Sequence, residues 1–169
     1  LLVMIVIGIT QGMQPIIGFN YGAGKYNRLK KAYWLSVAAA SAVMFIGFLG
    51  AQLVPHWIAR AFTTDSELIA NTSVALRIGT AVFWAVGFQI VSTNYFQSLG
   101  LAGKSIFLSL TRQILFLMPL IYIFSHAFGL NGIWAAYSTS DFIATLVTAI
   151  MMIFQLKKLN RLAAAMPKE

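Results

Sequence analysis

Cysteine is absent from the 169 residues, which excludes a disulfide framework and any cysteine-based metal site. Acidic side chains are scarce, four against twelve Lys and Arg, and only 9% of the chain is charged. A soluble domain carries roughly a quarter. Histidine occurs twice, at separated positions, and Asp141 is the one carboxylate inside an apolar stretch. A membrane-embedded enzyme needs a nucleophile–base pair or a metal cluster, and these residues assemble neither, so no enzyme is expected. The net charge of +8 would ordinarily raise nucleic acid as a partner. That reading needs a solvated basic face, whereas here the charges sit in short clusters between long uncharged runs. The expected partner is the lipid bilayer, and no nucleic acid is expected.

What the chain has in quantity is apolar length. Fifty-nine per cent is hydrophobic, and residues 1–24, 32–59, 78–103, 113–140 and 142–156 carry no charge. A spanning helix needs about 20 mostly apolar residues. The 113–140 run is too long for one span, and the turn signal His126-Ala-Phe-Gly-Leu-Asn-Gly132 divides it. Strict alternation is missing, which argues against barrel strands of about 10 residues. The fold class predicted is therefore all-α integral membrane, with five helices near 1–22, 30–58, 72–99, 105–127 and 131–157 and a basic tail at 158–169. The first residue is Leu1, with no basic start or small-residue cleavage site of a signal peptide. A piece of a longer membrane protein is the expectation.

Five spans put Lys25, Arg28, Lys30, Lys31, Lys104, Lys157, Lys158, Arg161 and Lys168 on one side. The positive-inside rule makes that side, with the C-terminus, cytoplasmic. Residues 60–71 fall outside, where Thr64 and Glu67 have capping-box spacing and predict a short amphipathic helix over 63–71.

Polar residues interrupt the apolar spans. Burying an unpaired amide in hydrocarbon is costly, so Gln11, Gln14 and Asn20 must face protein or water. Pro15 removes a helical hydrogen bond and kinks the first span. Gln11, Gln14 and Gly18 share one face. Two readings stay open there: a helix contact made close by Gly8, Gly12 and Gly18, or a solute-facing hinge. The third helix repeats the pattern, with Gln89, Thr93 and Gln97 on one face and Ser92 and Asn94 beside it. Its end, Gly100-Leu-Ala-Gly-Lys104, has two residues between the glycines where a phosphate loop has four. No nucleotide site is expected.

Four segments carry a family resemblance: GITQGMQPIIGFNYGAGKYNRLKKA (8–32), FQSLGLAGKS (96–105), SLTRQILFLMPLIYIF (109–124) and FGLNGIWAAYSTSD (128–141). In order and spacing the chain resembles the C-terminal half of a multidrug and toxic compound extrusion (MATE) transporter. The resemblance implies a parent of twelve helices in two lobes, of which this five-helix fragment supplies helices eight to twelve; the N-terminal lobe and helix seven would be missing partners. It implies export of small amphiphilic or cationic drug-like substrates by alternating access from a bacterial inner membrane. Inward proton or sodium flow would drive it, with no other cofactor. Acidic residues on helices seven and ten bind sodium in some relatives; helix ten here, 72–99, has none, so a sodium site of that type is not expected.

The pathway or hinge candidates are thus Gln11, Gln14, Pro15, Asn20, Tyr21, Gln89, Asn94, Gln97 and Tyr137. Tyr21, Phe88, Tyr95 and Tyr137 are candidates for cation–π contact with an aromatic cation. The intramembrane charges are Arg112 and Asp141. Arg112 lies about 12 Å along the helix from Lys104, so a partner inside the bundle is expected, with Asp141 and Arg77 as competitors for pairing. A lipid-linked oligosaccharide flippase of related architecture is the alternative, and would call for more cavity cations than Arg77 and Arg112. A non-transporting structural fragment is the other alternative.

Overall fold

The computed structural model describes residues 2–164, and its regular structure is helical throughout those residues. Helix α1 (Leu2–Gly22) carries Pro15 inside it and buries Val6, Thr10, Met13 and Ile17, a stripe at spacings of three and four. It stops at a glycine turn: Gly24 has φ +71°, a conformation glycine adopts without penalty. Helix α2 (Tyr26–Leu53) therefore starts four residues before the expected 30, and Lys30 and Lys31 lie on it.

Helix α2 ends at Leu53, short of the expected 58. Pro55 has no N–H and disfavours a helical residue before it, so Val54 takes φ −128°, ψ 42° and α3 (Pro55–Arg60) starts afresh. Helix α4 (Ser66–Gly79) is capped by Asp65, whose Oδ1 accepts from the amides of Glu67 and Leu68 at 2.9 and 3.3 Å. The carboxylate displaces Thr64 from the capping role its spacing suggested. The expected continuous helix over 72–99 is two helices. Helices α4 and α5 (Phe83–Ser98) meet at 53° across residues 80–82, just after Gly79.

After Gly100, again at φ +71°, come α6 (Ala102–Leu110), a π-helical stretch (Thr111–Leu117) and α7 (Met118–Ala164). Gly129, with φ 58° and ψ −136°, breaks α7 into arms 118–128 and 130–164. The second arm returns beside the first, with Gly132 packed on the Phe124 carbonyl. Lys157, Lys158 and Arg161 lie on the returning helix rather than on a tail; Lys168 lies outside the described residues.

The core sits between α1, α2 and α5. Leu29, Tyr33, Val37, Ala40 and Met44 on α2 meet Val86, Val91, Tyr95 and Phe96 on α5. Small residues let helices approach in a membrane, and Gly87 is where it matters: a Cβ there would lie 2.7 Å from the Ala40 carbonyl oxygen. Gly8 and Gly12, by contrast, have nothing within 4 Å to meet, and only Gly18 abuts a neighbour, the Ser98 carbonyl. Among the described residues three helical stretches are long and apolar enough to cross a membrane, four if α4–α5 is one bent span. One of the three, Ala102–Ala164, contains the Gly129 turn.

Candidate functional site

Two polar features interrupt the bundle. The first joins α1 to α5: Gln14 Nε2 donates to Asn94 Oδ1 at 3.0 Å, and Asn94 Nδ2 donates to the Ile90 carbonyl at 2.9 Å. Asn20 instead turns back on its own helix, donating to the Ile16 carbonyl at 2.8 Å. Gln11, Pro15 and Gln97 are exposed on these helices, and Tyr21 lies edge-on to Tyr26 with ring centroids 6.1 Å apart. Of the opening candidates, then, only Gln14 reaches a polar side chain on another helix.

The second feature is charged. Arg112 Nε donates to Asp141 Oδ1 at 2.7 Å, with the side chains 33% and 9% exposed. Ser140 Oγ donates to the Arg112 carbonyl at 2.8 Å, tying the π-helical stretch to the returning arm of α7. Arg77 is exposed and stands apart from this pair, its carbonyl accepting from Gln52 at 2.8 Å. The competition for Asp141 goes to Arg112.

Arg112 borders two cavities. One of about 460 Å³ lies between α4, the start of α5 and α7; Thr72, Leu76, Phe83, Trp134 and Tyr137 line it beside the ion pair. The other, about 190 Å³, lies between α5 and the π-helical stretch against Gln89, Thr93, Asn94, Ser109 and Gln113. Gln89 is 3% exposed, and its Oε1 has no hydrogen-bond partner among the described residues. So Gln89, Asn94 and Arg112 share one cavity, and Tyr137 joins Arg112 and Asp141 in the other. Gln89 and Gln97, assigned to one face, part company: the first is buried and the second exposed.

Tyr95 is corrected as a solute-contact candidate. It is 0% exposed and its ring packs edge-on against Tyr33 and Phe96, at 5.1 and 5.7 Å. Among the cavity residues, Trp134, Thr72 and Ser109 carried no distinguishing sequence signal. Ser140 did, in the hydroxyl run 138–140 before Asp141.

The arrangement offers amides, an ion pair and aromatic walls in an apolar bundle, which suits binding and gating. Among the described residues no three of His, Asp and Glu come together as a metal site.

Known proteins agree with this architecture. The chain is similar to the multidrug export protein MepA of Staphylococcus aureus strain N315, 22% identical over 155 residues, 91% of this chain and 34% of MepA. MepA of Staphylococcus haemolyticus is 23% identical over 160 residues, 94% of this chain and 34% of its own. Among solved structures, DinF-BH, a MATE multidrug transporter in complex with a rhodamine dye, is 38% identical with TM-score 0.84. That match covers 90% of this chain and 34% of DinF-BH. The chain thus spans about a third of the length of these relatives. The MatE family model matches residues 1–123, and the chain belongs to that family of multi-pass membrane transporters.

Proposed function

We propose that the chain forms five spans of the C-terminal lobe of a multidrug efflux antiporter working by alternating access. The spans are α1, α2, the bent pair α4–α5, and the two segments 102–128 and 130–164 on either side of Gly129. The observation that carries the reading is the Gln14–Asn94 hydrogen bond of 3.0 Å. Uncharged amides paired across two spans, with Gln11 and Gln97 exposed near them, make a polar wall on an otherwise apolar bundle. A membrane protein bears that cost where the wall lines a solute path.

The substrates are small amphiphilic or cationic compounds, a class supported by the dye complex of the 38%-identical neighbour. Tyr21 and Tyr137 supply aromatic faces for such cations. The partner is a second lobe, absent from these residues, against which this one rocks. Protons or sodium drive the cycle through carboxylates in that partner, while Asp141 serves structure through its pair with Arg112. The protein sits in a bacterial inner membrane with the 25–31 loop and the C-terminus in the cytoplasm.

The test is efflux of the rhodamine dye from cells making the full-length protein. Gln14→Ala and Asn94→Ala lower efflux at matched membrane abundance; wild-type rates in both overturn the polar-wall assignment. Asp141→Asn lowers abundance and leaves gradient-driven efflux per molecule intact. Abolished coupling with intact dye binding sinks the structural assignment. Cysteines replacing Asn27 and Ser66 label from opposite sides with an impermeant thiol reagent; labelling of both from outside refutes the orientation.

A further inference from the structure

The cations of this chain are gathered by folding as well as by sequence. Lys30 Nζ donates to Asn160 Oδ1 at 2.9 Å, joining α2 to the end of α7 across 130 residues of sequence. Lys104 Nζ reaches Gln155 Oε1 at 3.4 Å, bringing the start of α6 to the same stretch of α7. The 24–28 turn closes the ring against Ala163, leaving a cleft of about 280 Å³ lined by Gly24, Lys25, Tyr26, Asn27, Arg28 and Ala163. Three separate segments thus converge on the last turns of one helix. Lys25, Arg28, Lys31, Lys104, Lys157, Lys158 and Arg161 are all exposed there. Among the described residues no carboxylate joins them, since Asp65 and Glu67 stand at the start of α4 and Asp141 pairs with Arg112.

We propose that this rim is a binding site for an anionic phospholipid, with the phosphate diester in the 24–28/Ala163 cleft and the acyl chains along the adjoining helices. Charge and place both fit. Basic pockets between membrane helices on one face recognise anionic headgroups, and the attraction acts only within a Debye length of the surface. The rim is one to two helical turns deep and is bounded on its membrane side by exposed hydrocarbon. Phe19 on α1, Trp34 and Leu35 on α2, and Ile153 and Phe154 on α7 are all exposed. They lie within about 14 Å of the rim along their helices. A nucleic acid would need a continuous solvated basic surface, and the apolar boundary denies it one. A charge cluster that only set orientation would need no cleft and no contacts holding distant segments together.

The experiment uses the full-length protein, purified in detergent and offered an equimolar mixture of phosphatidylglycerol and phosphatidylcholine. Bound lipid is read by native mass spectrometry. Wild type retains phosphatidylglycerol in preference. The fourfold variant K25Q/R28Q/K30Q/R161Q loses the preference, whereas R60Q/R77Q, at cations remote from the rim, keeps it. Equal preference in wild type and the fourfold variant overturns the site, as does loss of preference in R60Q/R77Q. If the fourfold variant does not accumulate, K25Q/R28Q, which leaves the Lys30–Asn160 contact, reads the same ratio and is expected to lower it. Capture of a single-stranded RNA oligomer in preference to phosphatidylglycerol by wild type overturns the proposal in favour of nucleic acid.

Discussion

The α2–α5 interface and the α6–α7 hairpin are built from opposite materials. Across α2 and α5 the backbones close on each other at Gly87 and Ala40. Leu29, Tyr33, Val91, Tyr95 and Phe96 are fully buried there, with one neutral hydrogen bond, Tyr33 to Ser92 at 2.9 Å. Across the hairpin the central contact is a salt bridge beside a π-helical stretch, and its arginine borders two cavities. In hydrocarbon, helix association comes from close packing and hydrogen bonds, because lipid is as apolar as leucine. The first interface devotes its sequence to packing. The second leaves space, and its polar groups hold the helices across that space. Rigidity and solute capacity are therefore assigned to different helix pairs of one lobe.

The largest expected effect breaks the second region. Asp141→Ala leaves Arg112 without its partner in a bundle, and removing one member of a buried pair costs about 3–5 kcal/mol. Arg112 is one-third exposed, which places the loss near about 3 kcal/mol. Unfolding of the full-length protein in mixed micelles, titrated with dodecyl sulfate, measures it. The double variant Arg112→Met/Asp141→Leu recovers most of the loss, because no charge is left unpaired. A double variant no better than the single one shows that the two charges are not neutralising each other.

Next comes the packed region. Gly87→Ala adds a Cβ 2.7 Å from the Ala40 carbonyl oxygen, and backbone cannot swing aside as a side chain can. Overpacking of this kind costs about 2 kcal/mol, by the same titration. The control is Gly12→Ala, where nothing lies within 4 Å; it is expected to be neutral or slightly stabilising. Equal losses at both positions mean that helix approach at Gly87 is not what distinguishes this interface.

Much of this contrast is legible in the sequence, and its limits are physical. Runs without charge mark apolar spans because lipid penalises charge. The salt bridge follows from a turn at Gly129 joining consecutive antiparallel helices. Straight-helix arithmetic leaves the partners about 8 Å out of register. The π-helical stretch at 111–117, with its wider turn, changes that register, and no residue in Thr-Arg-Gln-Ile-Leu-Phe-Leu announces it. The break at Val54 does have a signal, Pro55, which apolar continuity outweighs. The bend at 80–82 has only Gly79 and Thr80. Buried Gln89 and exposed Gln97 differ because helix periodicity gives a shared face but not which neighbours cover each end of it.

A smaller loss tests the neutral hydrogen bond in the packed region. Tyr33→Phe keeps the ring against Tyr95 and removes only the hydroxyl. Ser92 Oγ can then turn to a carbonyl of its own helix, so the cost is about 1 kcal/mol. The contrast with Asp141→Ala sharpens the comparison: the packed interface tolerates loss of its polar contact and the hairpin does not. Similar losses in the two variants erase that distinction.

The smallest expected effect on stability lies at the Gln14–Asn94 contact, and it separates structure from function. Interhelical hydrogen bonds in membranes average about 0.6 kcal/mol by double-mutant cycle, because the separated helices find other partners. Gln14 is half-buried beside exposed Gln11 and Pro15, so water or solute can replace its partner. A cycle of Gln14→Ala, Asn94→Ala and the double variant should therefore return a coupling of about that size in micelle unfolding. If the pair only joined α1 to α5, dye efflux per folded molecule would stay at the wild-type level in all three variants. If it lines the solute path, efflux falls well beyond what so small a stability change explains, and the Michaelis constant for the dye shifts. A coupling of several kcal/mol with unchanged transport kinetics would move this contact into the same class as the α2–α5 interface, leaving the polar wall without its central pair.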